Sequence, residues 1–74
     1  MIGADRHQAV SGVTKHFSFE HLPADLSEIS KLFHDLAGEL LAKLPDSPEL
    51  TVGLRKLLES KDCAVRAAVE ARPS

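Results

Sequence analysis

Pro45-Asp46-Ser47-Pro48-Glu49 decides the fold, because this stretch ends one helix and starts another with almost no loop between them. Proline cannot continue a helix, so the first helix ends at Pro45. Ser47, Pro48 and Glu49 then supply a capping hydroxyl, a proline suited to the first helical position and an acid facing the helix dipole. So short a connection predicts that the second helix folds back antiparallel against the first, as an αα-hairpin.

Apolar residues recur at three- and four-residue intervals on both sides of this turn, which predicts helices over about 23–44 and 48–72. Pro23 fits the first turn of the first helix, and Asp25 with Glu28 could cap it. The first apolar stripe comprises Leu26, Ile29, Leu32, Phe33, Leu36, Ala37, Leu40, Leu41 and Leu44, and the second comprises Leu50, Leu54, Leu57, Leu58, Ala64, Val65, Ala68 and Val69.

The chain before these helices divides into two parts. Residues 1–15 contain Gly3, Ser11, Gly12 and Thr14 and little apolar periodicity, so we expect an irregular or mobile arm. Residues 16–22 alternate aromatic and polar side chains, as an extended stretch with one covered face would. The sequence therefore predicts an all-α fold, with an N-terminal arm over 1–15 and a helical-hairpin domain over 16–74.

A chain of 74 residues is short of the size at which one core gives a comfortable margin of stability. The single Cys63 excludes an internal disulfide, and the four histidines are not spaced as zinc ligands. Each apolar stripe is also wider than one partner helix can cover. Because exposing several leucines would forfeit much of a marginal stability, we expect the hairpin to assemble into a homo-oligomer.

The charge pattern limits the classes of molecule that the chain is expected to bind. The net charge is −2, and basic residues are interspersed with acidic ones, which argues against long nucleic acid but not against a small anion. No apolar run approaches the length of a membrane span, and the N-terminus lacks the hydrophobic core of a signal peptide. We therefore expect a cytoplasmic protein that does not bind membranes.

The sequence does not predict an enzyme. It contains no glycine-rich phosphate loop, nucleophile motif or acid–base pair, so we expect neither catalytic residues nor a cofactor. Asp35 and Glu39 are typical of a solvated helix face, and His34 of a solvated or hydrogen-bonded imidazole. Cys63 has no evident cause of a depressed pKa, so a packing role is expected for it.

Five residues are candidates for ligand contact. Phe17 and Phe19 could stack on a nucleobase, or act as a hydrophobic staple where the arm enters the first helix. Ser30 and Lys31, early in that helix, could donate to a phosphate. Arg66 could do so as well, although the ion pairs Arg55–Glu59 and Asp62–Arg66 would also explain its position.

Three segments around the turn carry a family likeness: ISKLFHDLA at 29–37, LRKL at 54–57 and AVRAAV at 64–69. Together with the aromatic arm, they resemble the helical-hairpin domain of bacteriophage anti-defence sponges, which counter CBASS and Thoeris immunity. The likeness covers about residues 16–72. It implies binding, without hydrolysis, of cyclic di- and trinucleotides or cyclic ADP-ribose isomers in the cytoplasm of the host bacterium. It also implies oligomers, often hexamers, with ligand pockets between chains.

Carried over by position, the resemblance assigns base stacking to Phe17 or Phe19 and phosphate contacts to Lys31 and Arg66. Ser30 stands where many relatives have a basic residue, and phenylalanine stands where they have tyrosine. The alternative that the sequence leaves open is a protein-interaction module without a nucleotide, in which the apolar stripe recruits a helix of another protein.

Overall fold

The computed structural model describes residue 12 and residues 15–73, which form helices and connecting turns. A short 3₁₀ helix, Lys15–Phe17, precedes two α-helices, which we call α1 (Ala24–Lys43) and α2 (Pro48–Glu70). The two α-helices pack against each other, so the predicted all-α fold with two helices is confirmed for the described residues. The predicted arm, residues 1–15, lies outside the described residues except at positions 12 and 15.

The ends of α1 lie one residue inside the predicted 23–44. Pro23 precedes the helix, and its carbonyl oxygen accepts hydrogen bonds from the backbone N–H groups of Leu26 and Ser27 at 3.0 and 2.7 Å. The N-terminus of α1 has no side-chain cap, so the expected capping by Asp25 and Glu28 does not form. At the other end Leu44 is extended, with φ −116° and ψ 141°, because a following proline disfavours helical backbone.

The start of α2 follows the predicted capping chemistry. Ser47 is the N-cap, and its Oγ accepts a hydrogen bond from the backbone N–H of Leu50 at 3.1 Å, while Pro48 is the first helical residue. The helix ends at Glu70, two residues before the predicted end at 72. The turn thus joins the two helices through residues 44–47 alone.

The core lies between the helices near the turn and includes a residue from the segment before α1. Phe17 is only 1% exposed and clusters with the buried Ala37, Leu50 and Leu54. Phe33, Leu41, Leu57 and Leu58, which are half-buried, pack against this cluster. The 3₁₀ helix therefore closes over one face of the hairpin.

A second link joins the far ends of the two helices. Arg72, just after α2, donates from Nε to Asp25 Oδ2 at 2.6 Å and from Nη2 to Asp25 Oδ1 at 2.8 Å. This paired contact brings the C-terminal end of α2 beside the first turn of α1. The two helices are therefore connected by the turn at one end and by the Asp25–Arg72 contact at the other.

Several large apolar side chains stay uncovered, as expected for stripes wider than one partner helix. Leu32 is 66% exposed and Leu36 is 44% exposed on α1, and Leu44, Val52 and Val69 are also exposed. Neither described α-helix is both long and apolar enough to cross a bilayer.

Candidate functional site

Phe19 lies at the surface, two residues after the buried Phe17, and its ring contacts the imidazole of His34 on α1. The ring centroids are 5.0 Å apart and the planes are inclined by 67°, an edge-on arrangement. Three contacts hold residues 16–22 in place. Phe17 is buried, and Lys61 Nζ donates to the carbonyl oxygen of His16 at 2.7 Å. The backbone N–H of Leu22 donates to the carbonyl oxygen of Phe19. Phe19 is thus a half-buried ring in a constrained position.

Lys31 belongs to the same exposed patch. Its Nζ donates to Asp35 Oδ2 at 2.7 Å, and His34 Nδ1 lies 3.3 Å from Asp35 Oδ1. The hydrogen bond from Lys31, followed by that from His34, lowers the pKa of the Asp35 carboxyl below its ordinary value. We call Phe19, Lys31, His34 and Asp35 the Phe19 patch.

The Phe19 patch combines two kinds of recognition chemistry. An aromatic ring stacks on any nucleobase with about 1–3 kcal/mol per base. An ammonium group is a point-charge partner for a phosphate, although Asp35 occupies it here. Of the five predicted residues, the structure therefore links Phe19 and Lys31 indirectly, through His34 and Asp35.

Phe17 and Ser30 lie elsewhere, in buried positions. Phe17 belongs to the core, which corresponds to the packing interpretation of the arm aromatics. Ser30 is fully buried on α1, and its Oγ has no hydrogen-bond partner in the part of the chain that the structure describes. A base or a phosphate could touch either side chain only after the surrounding packing opened, so their predicted ligand contacts stay predictions.

Arg66 is exposed on α2 and lies apart from the Phe19 patch. Its Nη2 donates to Cys63 Sγ at 3.3 Å, one turn away on the same helix. Neither expected ion pair, Arg55–Glu59 or Asp62–Arg66, forms among the described residues. The guanidinium is therefore weakly engaged within its own chain.

His34 and Asp35 belong to the Phe19 patch, although their sequence context is typical of solvated side chains. The i,i+4 spacing of Lys31 and Asp35 was a signal for their ion pair. The contact between His34 and Phe19 had no comparable signal, because it joins residues on separate elements. In the described residues no group of three His, Cys, Asp or Glu side chains is placed to hold a metal ion.

A separate apolar groove of about 660 Å³ lies near the turn. It is lined by Leu40, Leu44, Pro45, Ser47, Glu49, Leu50, Gly53, Leu54, Lys56, Leu57 and Ser60. No residue of the Phe19 patch lines this groove, so the hairpin carries two distinct surfaces.

Comparison with known proteins returns no relative. No protein-family model matches the chain, and neither a curated protein nor a solved structure matches it significantly.

Proposed function

We propose that this chain is a phage-encoded anti-defence sponge that binds a cyclic nucleotide signal of bacterial immunity and holds it without hydrolysis. In this proposal the chain acts in the host cytoplasm as a homo-oligomer of antiparallel hairpins. The ligand class is cyclic di- or trinucleotides or cyclic ADP-ribose isomers, as the sequence resemblance implies. The Arg72–Asp25 contact supports the antiparallel arrangement, because it links the end of α2 to the start of α1.

The observation that carries the proposal is the chain of contacts that links Phe19 to Lys31 through His34 and Asp35 in the Phe19 patch. A cyclic nucleotide presents both a base and a phosphate, and the chemistry of an aromatic ring and an ammonium group suits those two groups. His34 supports the ring of Phe19 from the side. A site that is ordered before binding loses less entropy when the ligand arrives.

Arg66 fits the proposal as a contribution from a neighbouring copy. Its guanidinium is exposed, and among the residues that the structure describes its one partner is the Cys63 thiol. A phosphate accepts two parallel N–H bonds from arginine, which a thiol does not. A pocket formed between chains could therefore combine Phe19 and Lys31 of one copy with Arg66 of another.

Isothermal titration calorimetry against cyclic dinucleotides, cyclic trinucleotides and cyclic ADP-ribose isomers tests the proposal. We expect one of these classes to bind, and Phe19→Leu and Lys31→Met each to weaken that binding about tenfold or more. Arg66→Met should weaken it as well, whereas Arg55→Met, which removes an exposed arginine of the same helix, should not. Absence of heat with the whole panel would refute the proposal.

The chemical state of the released ligand tests the second half of the proposal. A sponge returns its ligand intact when the protein is denatured after a long incubation, and its protection is stoichiometric. Recovery of a linearised or hydrolysed nucleotide would show an enzyme instead.

A further inference from the structure

The two faces of the hairpin differ in what covers them. Residues 16–19 lie over one face, where Lys61 binds the His16 carbonyl and His34 contacts Phe19. The other face carries the apolar groove and the i,i+4 row Leu32, Leu36 and Leu40. We call this second surface, formed by Leu32, Leu36 and Leu40 of α1 with Gly53, Leu57 and Ser60 of α2, the open face.

The open face is bulky along α1 and shallow along α2. Leu32 and Leu36 lie on the surface of α1, with exposed fractions of 66% and 44%. On α2 the corresponding row contains small residues, Gly53 and Ser60, and continues through Ala64 and Ala67. A methyl group added to Gly53 would meet no atom within 4 Å, so the space directly above Gly53 is open. The α1 edge of the open face is therefore a ridge, and the α2 edge is a trough that is longer than the ridge.

We propose that a second copy of this chain docks on the open face, with α1 of each copy lying in the trough of the other copy's α2. The two-fold axis then runs parallel to the helices, and the contact is isologous. This inference rests on the homo-oligomer and the antiparallel hairpin of the proposed function and names the surface through which it assembles. A two-fold axis perpendicular to the helices would instead set the leucine ridges against each other.

The charges beside the open face favour the same arrangement. The turn and the Asp25–Arg72 contact set the register of the helices. Helix geometry then places Glu39 within about one turn of the level of Lys56, and Lys43 close to the level of Glu49. A two-fold rotation about an axis parallel to the helices leaves each residue at the same height along the helix. It places α1 of one copy opposite α2 of the other. Glu39 of one copy then lies on the same side as Lys56 of the other, and Lys43 on the same side as Glu49, so both of these pairs are of opposite sign.

The available area is sufficient for a dimer. α1 has 20 residues and spans about 30 Å, and two packed helices are roughly 20 Å wide with their side chains. A contact along the full length of α1 would therefore bury about 600 Å² per copy, or about 1,200 Å² in total, which is at the lower end of stable interfaces.

Sedimentation velocity of the full chain at micromolar concentration, without nucleotide, tests the inference with a matched pair of glycine variants. Gly53 and Gly38 are both exposed helical glycines whose added Cβ meets no atom within 4 Å. Gly38 lies about 200° around α1 from Leu36, away from the open face. We expect Gly53→Leu to raise the dimer dissociation constant at least tenfold and Gly38→Leu to leave it unchanged, with helical circular dichroism retained in both.

A charge exchange tests the orientation of the copies. Glu39→Lys and Lys56→Glu should each weaken dimerisation several-fold, and the double variant should restore it. Any of three results would overturn the inference. The wild-type chain could be monomeric, Gly53→Leu could associate as tightly as wild type, or the double variant could dimerise no better than the single variants. So would a monomer whose groove binds a helix of another protein. Self-association without binding to any nucleotide of the panel would instead refute the sponge proposal alone.

Discussion

Ser30 is the residue at which the fold carries an unsatisfied polar group. Its side chain is fully buried, and Oγ lacks a hydrogen-bond partner in the described residues. A buried hydroxyl without a partner costs about 1–3 kcal/mol of desolvation, and alanine is the better helix former. We expect Ser30→Ala to raise the free energy of unfolding by about 1 kcal/mol in urea denaturation at fixed protein concentration.

Ser27→Ala is the matched control for this measurement. Ser27 lies one turn earlier on α1 and is only half-buried, so its replacement should change the free energy of unfolding by a few tenths of a kcal/mol. A Ser30→Ala chain less stable than wild type would show that the hydroxyl makes a favourable interaction. Loss of nucleotide binding in that variant would favour the predicted ligand contact of Ser30.

The Asp25–Arg72 pair predicts a pH dependence of stability. The hydrogen bonds from Arg72, with its positive charge, hold the pKa of the Asp25 carboxyl below its ordinary 3.8. A carboxyl with a lowered folded-state pKa stabilises the fold above its unfolded pKa, and that contribution is lost as the pH falls through the folded value. Wild type should therefore exceed Arg72→Gln in stability near neutral pH, and the two curves should converge below pH 3.8.

Thermal unfolding of both chains in steps of about half a pH unit checks this expectation. The lowered pKa of Asp35 is common to both chains, so its contribution cancels in the difference. A difference between the chains that stays constant down to the most acidic pH would contradict the assignment of the effect to Asp25.

Phe17 and Phe19 show what the sequence could and could not predict at the scale of residues. Their alternation with polar residues indicated that one side of the segment is covered, but either ring could satisfy that pattern. The structure buries Phe17 against Ala37 and Leu54 and leaves Phe19 at the surface beside His34. The choice depends on contacts with both α-helices, and local alternation contains no information on those contacts.

At the scale of elements, the helix ends were predictable wherever the signal was local. Pro45 forces Leu44 out of the helical region, and Ser47-Pro48 supplies a cap and a first residue, so α1 and α2 end and begin within a residue of expectation at the turn. At the start of α1 Pro23 is the N-cap, and Asp25, which was expected to cap the helix, is its second residue and pairs with Arg72. That pair joins residues 47 positions apart, beyond the reach of a capping motif.

The N-cap of α2 gives a direct test of whether nearby residues stabilise a helix end. Ser47 Oγ accepts the N–H of Leu50 at 3.1 Å, which satisfies a donor that α2 cannot pair internally. We expect Ser47→Ala to lower the free energy of unfolding by about 1 kcal/mol and Ser47→Asp, which keeps an acceptor oxygen, to stay close to wild type. Equal urea midpoints for Ser47→Ala and Ser47→Asp would contradict a stabilising role for the cap.

At the scale of the whole molecule, the distribution of apolar surface connects the fold to its proposed assembly. Residues 16–19 cover one face of the hairpin, and Phe17 completes the core there. The opposite face keeps Leu32 and Leu36 exposed beside the groove. Fully burying a leucine contributes about 1.5–3 kcal/mol, so covering this face adds substantially to the stability of so short a chain.

Assembly of this kind predicts that thermal stability depends on protein concentration. If two copies unfold together, a hundredfold rise in concentration stabilises the dimer by about 2.7 kcal/mol, or half of that per chain. For a domain of this size the unfolding midpoint should then rise by about 5–10 °C between low and high micromolar concentration. Calorimetry or circular dichroism across that range measures the shift, and Leu36→Lys, which places a charge on the open face, should abolish most of it. A midpoint independent of concentration in the wild-type chain would show that one hairpin is stable by itself and that its exposed leucines serve another purpose.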